Sequence, residues 1–380
     1  MKICIIQGPF LPIPPFKGGA VEKMWYGLSK KFKNKKHKIF YISKKTNYLK
    51  NKEYKNGIYH LRVKGYDYPK NLILSKIYDL FYAYRACKKI PNDIDIIVTN
   101  TFFAPLLINK NLKKKIYIDV QRVPKKQMFL YKKCGRFRAN SKFVHKKILS
   151  ELGNKFKSKI KVIPNPLPFI SNKIFYKKNY KKIMLYTGRI HPEKGLEILI
   201  NAINQLDTDW ELRIIGPYMI EQGGWGIEYL KKLKKISKNL QIKFFDPIFD
   251  KNKLNEEYKN ASIFIYPSVS EQGETFGLSP LEAMSFGCVP IVSNIDCFKD
   301  FITNNKNGLI FNHRNKPTYN LKKKIKMLQN SKKLLKKLSN KAILVNKSHS
   351  LKKIADLFLD DFKNIVDKQK KLHENLYTKI

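Results

Sequence analysis

With 380 residues, 43% of them hydrophobic and 13% aromatic, the chain is long enough for two or three domains with real cores and needs no disulfide staples. The five cysteines (Cys4, Cys87, Cys134, Cys288 and Cys297) are scattered and form no C-x-x-C pair, which speaks against a zinc site and for a reducing cytoplasm. The formal net charge of +48 rests on lysine, since only eight of the 77 basic residues are Arg; base-reading proteins lean on Arg, so nucleic acid is not the expected partner.

Abundant Asn, Ile, Tyr and Phe accompany the lysines, which is the composition of an A+T-rich coding sequence. Base composition supplies much of the charge. The rest is expected to serve as attraction to an anionic cytoplasmic leaflet, at about 1 kcal/mol for each basic residue near the surface. No apolar run reaches the ~18 residues of a membrane span. The run Ile3 to Ile6, closed by Gln7-Gly8-Pro9, is too short for a signal core. The expected location is cytoplasmic, with peripheral contact at the inner face of the plasma membrane.

In chain order, Lys2 to Ile6 predicts a strand, and a proline-rich loop leads from it to Gly18-Gly19. Val21 to Phe32 has helical spacing, with Val21, Met24, Trp25 and Leu28 on one face. A Gly pair before a helix brings backbone N–H groups within reach of a phosphate or sugar, although many turns look alike. The spacing is not G-x-G-x-x-G, which argues against a dinucleotide fingerprint. Lys38 to Ser43, Ile58 to Val63, Ile94 to Thr99 and Lys115 to Val120 predict further strands. Leu72 to Ile90 predicts a helix whose aromatics, Tyr78, Phe81, Tyr82 and Tyr84, are expected to face the core. Phe137 to Ser141 leads into a basic helix, Lys142 to Leu152, and Lys159 to Pro164 predicts a strand. Three prolines within Pro164 to Pro168 make a stiff hinge. The domain boundary is placed there, with residues 1–165 before it and 166–350 after it.

A lysine-rich loop, Ser171 to Lys182, precedes the strand Ile183 to Tyr186 that opens the second domain. The loop after it carries Gly188, Arg189 and Lys194 ahead of a helix with Leu196, Leu199, Ile200, Ile203 and Leu206 on one face. Two cations among so many carry little weight alone. Their place between a strand and a helix N-terminus, beside Gly188 and Gly195, is where an anion is held. His191 reads as a loop residue rather than a catalyst. Glu211 to Ile215 is a strand. Gly223-Gly224-Trp225-Gly226 leaves open contact with a base, contact with an acceptor and a plain turn before the helix Ile227 to Ile236. Gln241 to Phe245 and Leu254 to Ala261 are the next strand and helix.

The stretch from Ile263 to Val292 then reads as strand, loop, short helix and strand, the unit of a parallel sheet. Ligands of such sheets bind where the loop leaves the carboxyl end of the strand. Gly277 lets a ligand approach the backbone closely, and Pro280 suits the first turn of the new helix. The free N–H groups there attract a phosphate. Glu274 on one side and Glu282 on the other are placed to hold two polyols, which describes a sugar, a diphosphate and a ribose. Gly308 to Phe311 is the last strand. Lys322 to Val345 predicts one basic amphipathic helix, Leu351 to Ile365 a final helix, and the polar tail after Asp367 is expected to fray.

The spacing Glu274-x7-Glu282, with Phe276-Gly277-Leu278 inside it and Glu-Ala-Met from Glu282 on, resembles the family-four retaining glycosyltransferases of the GT-B fold. Gly188-Arg189 with Lys194-Gly195 matches the same family, and Gly18-Gly19 resembles its opening loop. The resemblance implies two Rossmann-like, doubly wound α/β domains facing across a cleft. The first, completed by the C-terminal segment 351–380, takes the acceptor; the second takes the donor. It implies that Glu274 holds hydroxyls of the donor sugar, that the backbone of Phe276, Gly277 and Leu278 faces sugar and diphosphate, that Glu282 holds the ribose, and that Arg189 and Lys194 clamp the diphosphate. Many relatives carry a His in the loop after the strand Lys115 to Val120. This chain has Asp119, Gln121 and Arg122 there instead, and Asp246-Pro247 where relatives often have Gly near the base.

The implied reaction moves a sugar from a nucleoside diphosphate, with UDP the expected nucleotide, to a hydroxyl of a glycan or lipid-linked acceptor, with retention. Bacterial surface polysaccharide, lipopolysaccharide or capsule synthesis is the expected setting. Fixed cations can replace a metal, and Asp93-Ile94-Asp95 reads as a cap on a strand, so no metal is expected. Two other classes stay open. An epimerase or phosphorylase of the same fold would need a His-containing acid–base pair, or a pyridoxal-bearing Lys and a longer chain. A non-enzymatic basic protein would bind membrane or nucleic acid in a way that collapses with salt.

Overall fold

The computed structural model of the protein describes residues 1–69, 71–168, 176–237 and 241–377, with side chains as far as residue 370. The chain divides into two units, Met1–Ile170 with His349–Ile380, and Ser171–Ser348. The proline-rich hinge therefore stays with the first unit, unlike the division expected at 165/166. Backbone bonding explains this: Ile163 N–H donates to the Ala139 carbonyl and Leu167 N–H to the His349 carbonyl. Residues 171–175 of the expected lysine-rich loop lie outside the described residues.

The strands of the first unit are β1 (Lys2–Ile6), β2 (Lys38–Lys44), β3 (Lys52–Lys55), β4 (Ile58–Val63), β5 (Ile96–Thr99), β6 (Ile116–Val120), β7 (Arg136–Ala139) and β8 (Ile160–Val162). They form one sheet in the order β3-β4-β2-β1-β5-β6-β7-β8, parallel except for β3. Successive side chains point to opposite faces, and both faces are covered. Ile3 and Ile5 pack with Trp25, Leu28 and Phe32 of α1 (Ala20–Asn34) and with Phe358 and Phe362 of the C-terminal helix Leu351–Tyr377. Cys4 and Ile6 pack with Tyr82 and Ala83 of α2 (Leu72–Cys87). The short α3 (Ala104–Leu107) follows β5, and α4 (Lys142–Leu152) follows β7.

Two strands lie outside the sequence expectation. β3 is joined to β4 by Asn56-Gly57, both with positive φ, the turn that a tight hairpin demands. β7 reads Arg-Phe-Arg-Ala, and its charges hide the fact that all four residues are buried. Arg138 is fully buried and bound on three sides. It donates to Asp119 Oδ1 at 2.8 Å, to the Ile163 carbonyl at 2.7 Å and to Asn165 Oδ1 at 2.7 Å. Asp119 also accepts from Trp25 Nε1 at 2.7 Å. Arg136 in turn pairs with Asp361 of the C-terminal helix at 2.9 Å, and Tyr117 donates to the same carboxylate at 3.0 Å. Asp119 is thus an interior strut rather than a group facing the loop edge.

Two further expectations are corrected. The aromatics of α2 do not all face the core: Tyr82 is buried, but Phe81 and Tyr84 are exposed and Tyr78 stacks on Tyr66 at 4.1 Å. A helix apolar on both faces can bury only one against a single sheet, here the face with Asp79, Tyr82, Ala83 and Ala86. The single helix expected over 322–345 is broken into α-helices Pro317–Gln329 and Lys332–Ala342, because the Ser331 hydroxyl caps the second by accepting from Leu334 N–H at 3.1 Å.

The strands of the second unit are β9 (Ile183–Thr187), β10 (Glu211–Ile215), β11 (Ile242–Phe245), β12 (Ile263–Tyr266), β13 (Val289–Ser293) and β14 (Leu309–Phe311), all parallel in the order β11-β10-β9-β12-β13-β14. Both units are doubly wound α/β folds.

Replacing Arg138 with Ala leaves the Asp119 carboxylate buried without its cation, and we expect the first unit to lose roughly 3–5 kcal/mol in urea denaturation. Asp79 offers a pH test. Burial raises its carboxyl to about 6, against the N–H groups of Phe103 and Phe102 that favour the ionised form. The folded state therefore binds a proton more tightly than the unfolded chain, whose Asp titrates near 3.8. Stability should fall as pH rises between those two values, and Asp79→Asn should flatten that slope in melts taken across the window.

Candidate functional site

In the second sheet β9 is flanked by β10 on one side and β12 on the other, so the chain winds away in opposite directions from β9 and β12. The loops leaving the carboxyl ends of these two strands open a crevice, the usual ligand position in an open α/β sheet. The loop after β9 runs through Gly188, Arg189 and Lys194 into α5 (Leu196–Asn204). Helices α6 (Ile227–Ile236) and α7 (Lys251–Asn260) follow β10 and β11. The loop after β12 runs through Glu274 and Gly277 into α8 (Leu278–Ser285).

The two loops are joined at several points. Gly195, at φ 68°, passes so close to β12 that a Cβ there would collide with the Pro267 carbonyl oxygen. Val269 N–H donates to the Glu193 carbonyl at 2.9 Å, and Ser268 Oγ to the same oxygen at 3.1 Å. Between them Lys194 Nζ donates to Glu274 Oε1 at 2.5 Å, with both residues only 6% exposed. Tyr266 OH donates to the same carboxylate oxygen at 3.1 Å. Burial, then the Glu274 charge, holds the Tyr266 phenol well above its ordinary range, so it stays a donor. A cation and an anion predicted separately from sequence are therefore one buried pair.

Arg189 stands at the open side of this pair. It donates to Glu193 Oε1 at 2.6 Å and to the Gly223 carbonyl at 3.0 Å. Glu193 also lies 3.5 Å from Lys194 Nζ. Burial pushes the Glu193 carboxyl up, but Lys194 and Arg189 together outweigh it and hold the group below the usual range. Glu193 occupies both cations as an anionic ligand would. Its residue type inside the Arg189–Lys194 loop was the only signal of this. The glycine loop after β10 packs here too: Trp225 N–H donates to the Ile190 carbonyl at 3.0 Å, and its ring meets His191 edge-on at 4.7 Å. His191 Nδ1 accepts from Glu193 N–H at 3.3 Å, a turn-making role.

The helix α8 starts at Leu278, which puts Pro280 in its first turn as expected, with Gly277 before it at φ 91°. A Cβ at Gly277 would stand 2.5 Å from the Phe298 ring, so glycine is required there twice over. No side chain caps the helix. Its first-turn N–H groups have no intrahelical acceptors and carry the positive end of the helix dipole. Phe276 is buried against Phe301 at 5.5 Å, so it offers backbone rather than ring to the crevice. Glu282 sits farther along α8, and Tyr258 of α7 approaches its Oε2 at 3.4 Å while sharing a 2.7 Å bond with Thr187 at the end of β9. Tyr258 and Thr187, which the sequence reading missed, thus tie Glu282 to the Gly188 end of the first loop.

Gly18 and Gly19 belong to the first unit, where they follow β1 at that sheet's own switch point between β1 and β5. Both have positive φ, and a Cβ on Gly19 would collide with Glu22. Asp95 accepts from Lys2 N–H at 2.7 Å and Asp93 pairs with Lys2 Nζ, so both serve the start of β1. Among the described residues no cluster of three or more His, Cys, Asp or Glu is arranged to hold a metal ion.

The family profile described as "Glycosyl transferases group 1" matches residues 170–345. The second unit belongs to the group 1 glycosyltransferases. A D-inositol 3-phosphate glycosyltransferase of Streptomyces bingchenggensis is 29% identical over 143 residues, 36% of this chain and 31% of that protein. A lipopolysaccharide 1,2-N-acetylglucosaminetransferase of Salmonella typhimurium is 29% identical over 133 residues, 33% of this chain and 34% of that protein. The matched stretch therefore spans about a third of these relatives. The Anabaena protein HepE, solved in complex with UDP, superimposes with a TM-score of 0.72 over 96% of this chain and 100% of that one, at 14% identity. The GT-B fold is shared over 96% of this chain, while the family profile matches only residues 170–345.

If Lys194 and Glu274 hold each other, their variants will not add. Lys194→Met and Glu274→Gln should each destabilise the protein in thermal or urea unfolding, and the double variant should fall short of their sum by at least ~1 kcal/mol.

Proposed function

We propose that the protein is a retaining glycosyltransferase that moves a sugar from a nucleoside-diphosphate sugar to a hydroxyl of a glycan or lipid-linked acceptor. The observation that carries the reading is the convergence of Arg189, Lys194, Glu274 and the uncapped N-terminus of α8 on one crevice at the β9–β12 switch point. In this reading the diphosphate lies on the α8 N-terminus and draws Arg189 and Lys194 away from Glu193. Glu274, released in part from Lys194, takes hydroxyls of the sugar, and Glu282 takes the ribose. Gly188 and the backbone of Phe276, Gly277 and Leu278 line the donor.

As the bond from the anomeric carbon to the phosphate oxygen breaks, negative charge grows on the leaving diphosphate. Two cations and a helix dipole are already in place to receive it, and this is where fixed charge lowers a barrier. The acceptor oxygen forms its bond to the same face of the anomeric carbon, and its proton passes to the departing phosphate. No metal is needed for this step. UDP is the favoured nucleotide, supported by the likeness to HepE, and surface polysaccharide synthesis is the favoured setting, supported by the Salmonella relative. The cationic surface favours work at an anionic membrane face, where a lipid-linked acceptor would be found.

A thermal-shift screen of UDP-, GDP- and ADP-sugars tests the reading directly, since a ligand of the folded state raises the melting temperature. Glu282→Ala should abolish the shift with little loss of fold. Arg189→Ala should keep donor binding but lower turnover about a hundredfold. Unchanged kinetics in both variants overturn the assignment.

A further inference from the structure

The sheet of the first unit leaves one face of α2 uncovered, and that face is not polar. Leu72 is 76% exposed, Ile73 71%, Phe81 51% and Tyr84 53%, with Ile77 and Leu80 between them also exposed. Scattered apolar side chains on a surface need no explanation, but a stripe along one helix does. The only acid of α2, Asp79, is on the buried face, where it accepts from Phe102 and Phe103 N–H at 3.0 Å each. The charges that accompany the stripe are all positive. The Lys76 ammonium lies over the Phe102 ring at 5.3 Å and the Lys88 ammonium over the Tyr84 ring at 4.2 Å, so each cation sits against the aromatic surface beside the stripe.

We propose that α2 is the membrane-contacting element of this protein, lying in the plane of an anionic phospholipid surface with Ile73, Ile77, Leu80, Phe81 and Tyr84 among the acyl chains. Apolar side chains flanked by lysines with no exposed acid are what an interfacial helix requires. Charge decides against a second copy of the chain as the occupant, because two chains of net charge +48 would bring lysine against lysine. No described helix is long and apolar enough to cross a membrane, so the contact is in-plane. Asp79 grips the backbone just past the carboxyl end of β5, which puts the N-terminal half of α2 at that edge of the sheet. An acceptor anchored in lipid would arrive there. In this last respect the inference rests on the proposed lipid-side acceptor; the contact itself does not.

Flotation of the full chain with phosphatidylcholine vesicles, and with phosphatidylcholine–phosphatidylglycerol vesicles, tests it. We expect binding to the mixed vesicles only, with a part that survives high salt. Ile77→Ser and Leu80→Ser should each weaken partitioning about tenfold, since each removes an apolar side chain from the lipid. Lys76→Gln with Lys88→Gln should weaken it less and reduce the salt dependence. Equal binding by the serine variants would mean that charge alone is at work and overturns the proposal. So would failure of the wild type to bind mixed vesicles, or a change confined to self-association in sedimentation velocity, which would make the stripe a protein interface. Melting curves check that the variants fold, and nucleotide-sugar thermal shifts, which need no lipid, report separately on the donor site.

Discussion

The buried contact between Lys194 and Glu274 is what makes a site of two loops. Neither residue is near the other in sequence, and each belongs to a turn leaving a different strand. A buried ion pair is a poor source of net stability, because desolvation offsets much of the attraction. Its value here is positional. Once Gly195 is threaded past the Pro267 carbonyl, the ammonium and carboxylate have one place to meet, and Tyr266 closes the remaining side. Arg189, Glu193 and the start of α8 are then set around that point.

The first unit is organised by a comparable device with a different outcome. Arg138 and Asp119 form a fully buried pair that Trp25, Gln121 and Asn165 complete with hydrogen bonds. Arg136 and Asp361 form a second, nearly buried pair between β7 and the C-terminal helix. These are struts, and they bind the end of the chain to the sheet at its start. The contrast with the second unit is in exposure: the Arg138 guanidinium is sealed in, whereas Arg189 keeps an accessible side and a replaceable partner, Glu193. A cation that can exchange its counter-ion can bind a ligand; one that is enclosed holds a fold together.

Much of the second unit was legible in the sequence because its signals are local. Strands β9, β10 and β12 are short apolar runs, and the loops that follow them carry Gly at positions where positive φ or close packing excludes other residues. Glu274, Gly277 and Glu282 could be placed on one strand-to-helix connection from the apolar run before them and the Gly and Pro among them. The first unit was less legible. β7 is interrupted by two arginines whose partners are distant in sequence, and β3 is a polar edge strand whose only mark is Asn56-Gly57. The outward face of α2 was misread for a related reason: periodicity reports that residues share a face, not whether another element covers it.

The sequence by itself determined the parallel α/β architecture, the loops that leave each strand, and the residue types available in them, because those depend on neighbours within a turn or two. Only the tertiary structure decided which charges meet. That Lys194 pairs with Glu274, that Glu193 stands between two cations, that Asp119 is consumed by Arg138, and that α2 presents its apolar side outward all follow from strand order and helix placement. Coulomb attraction and burial act through space, so a linear pattern cannot assign their partners until the sheet has set the distances.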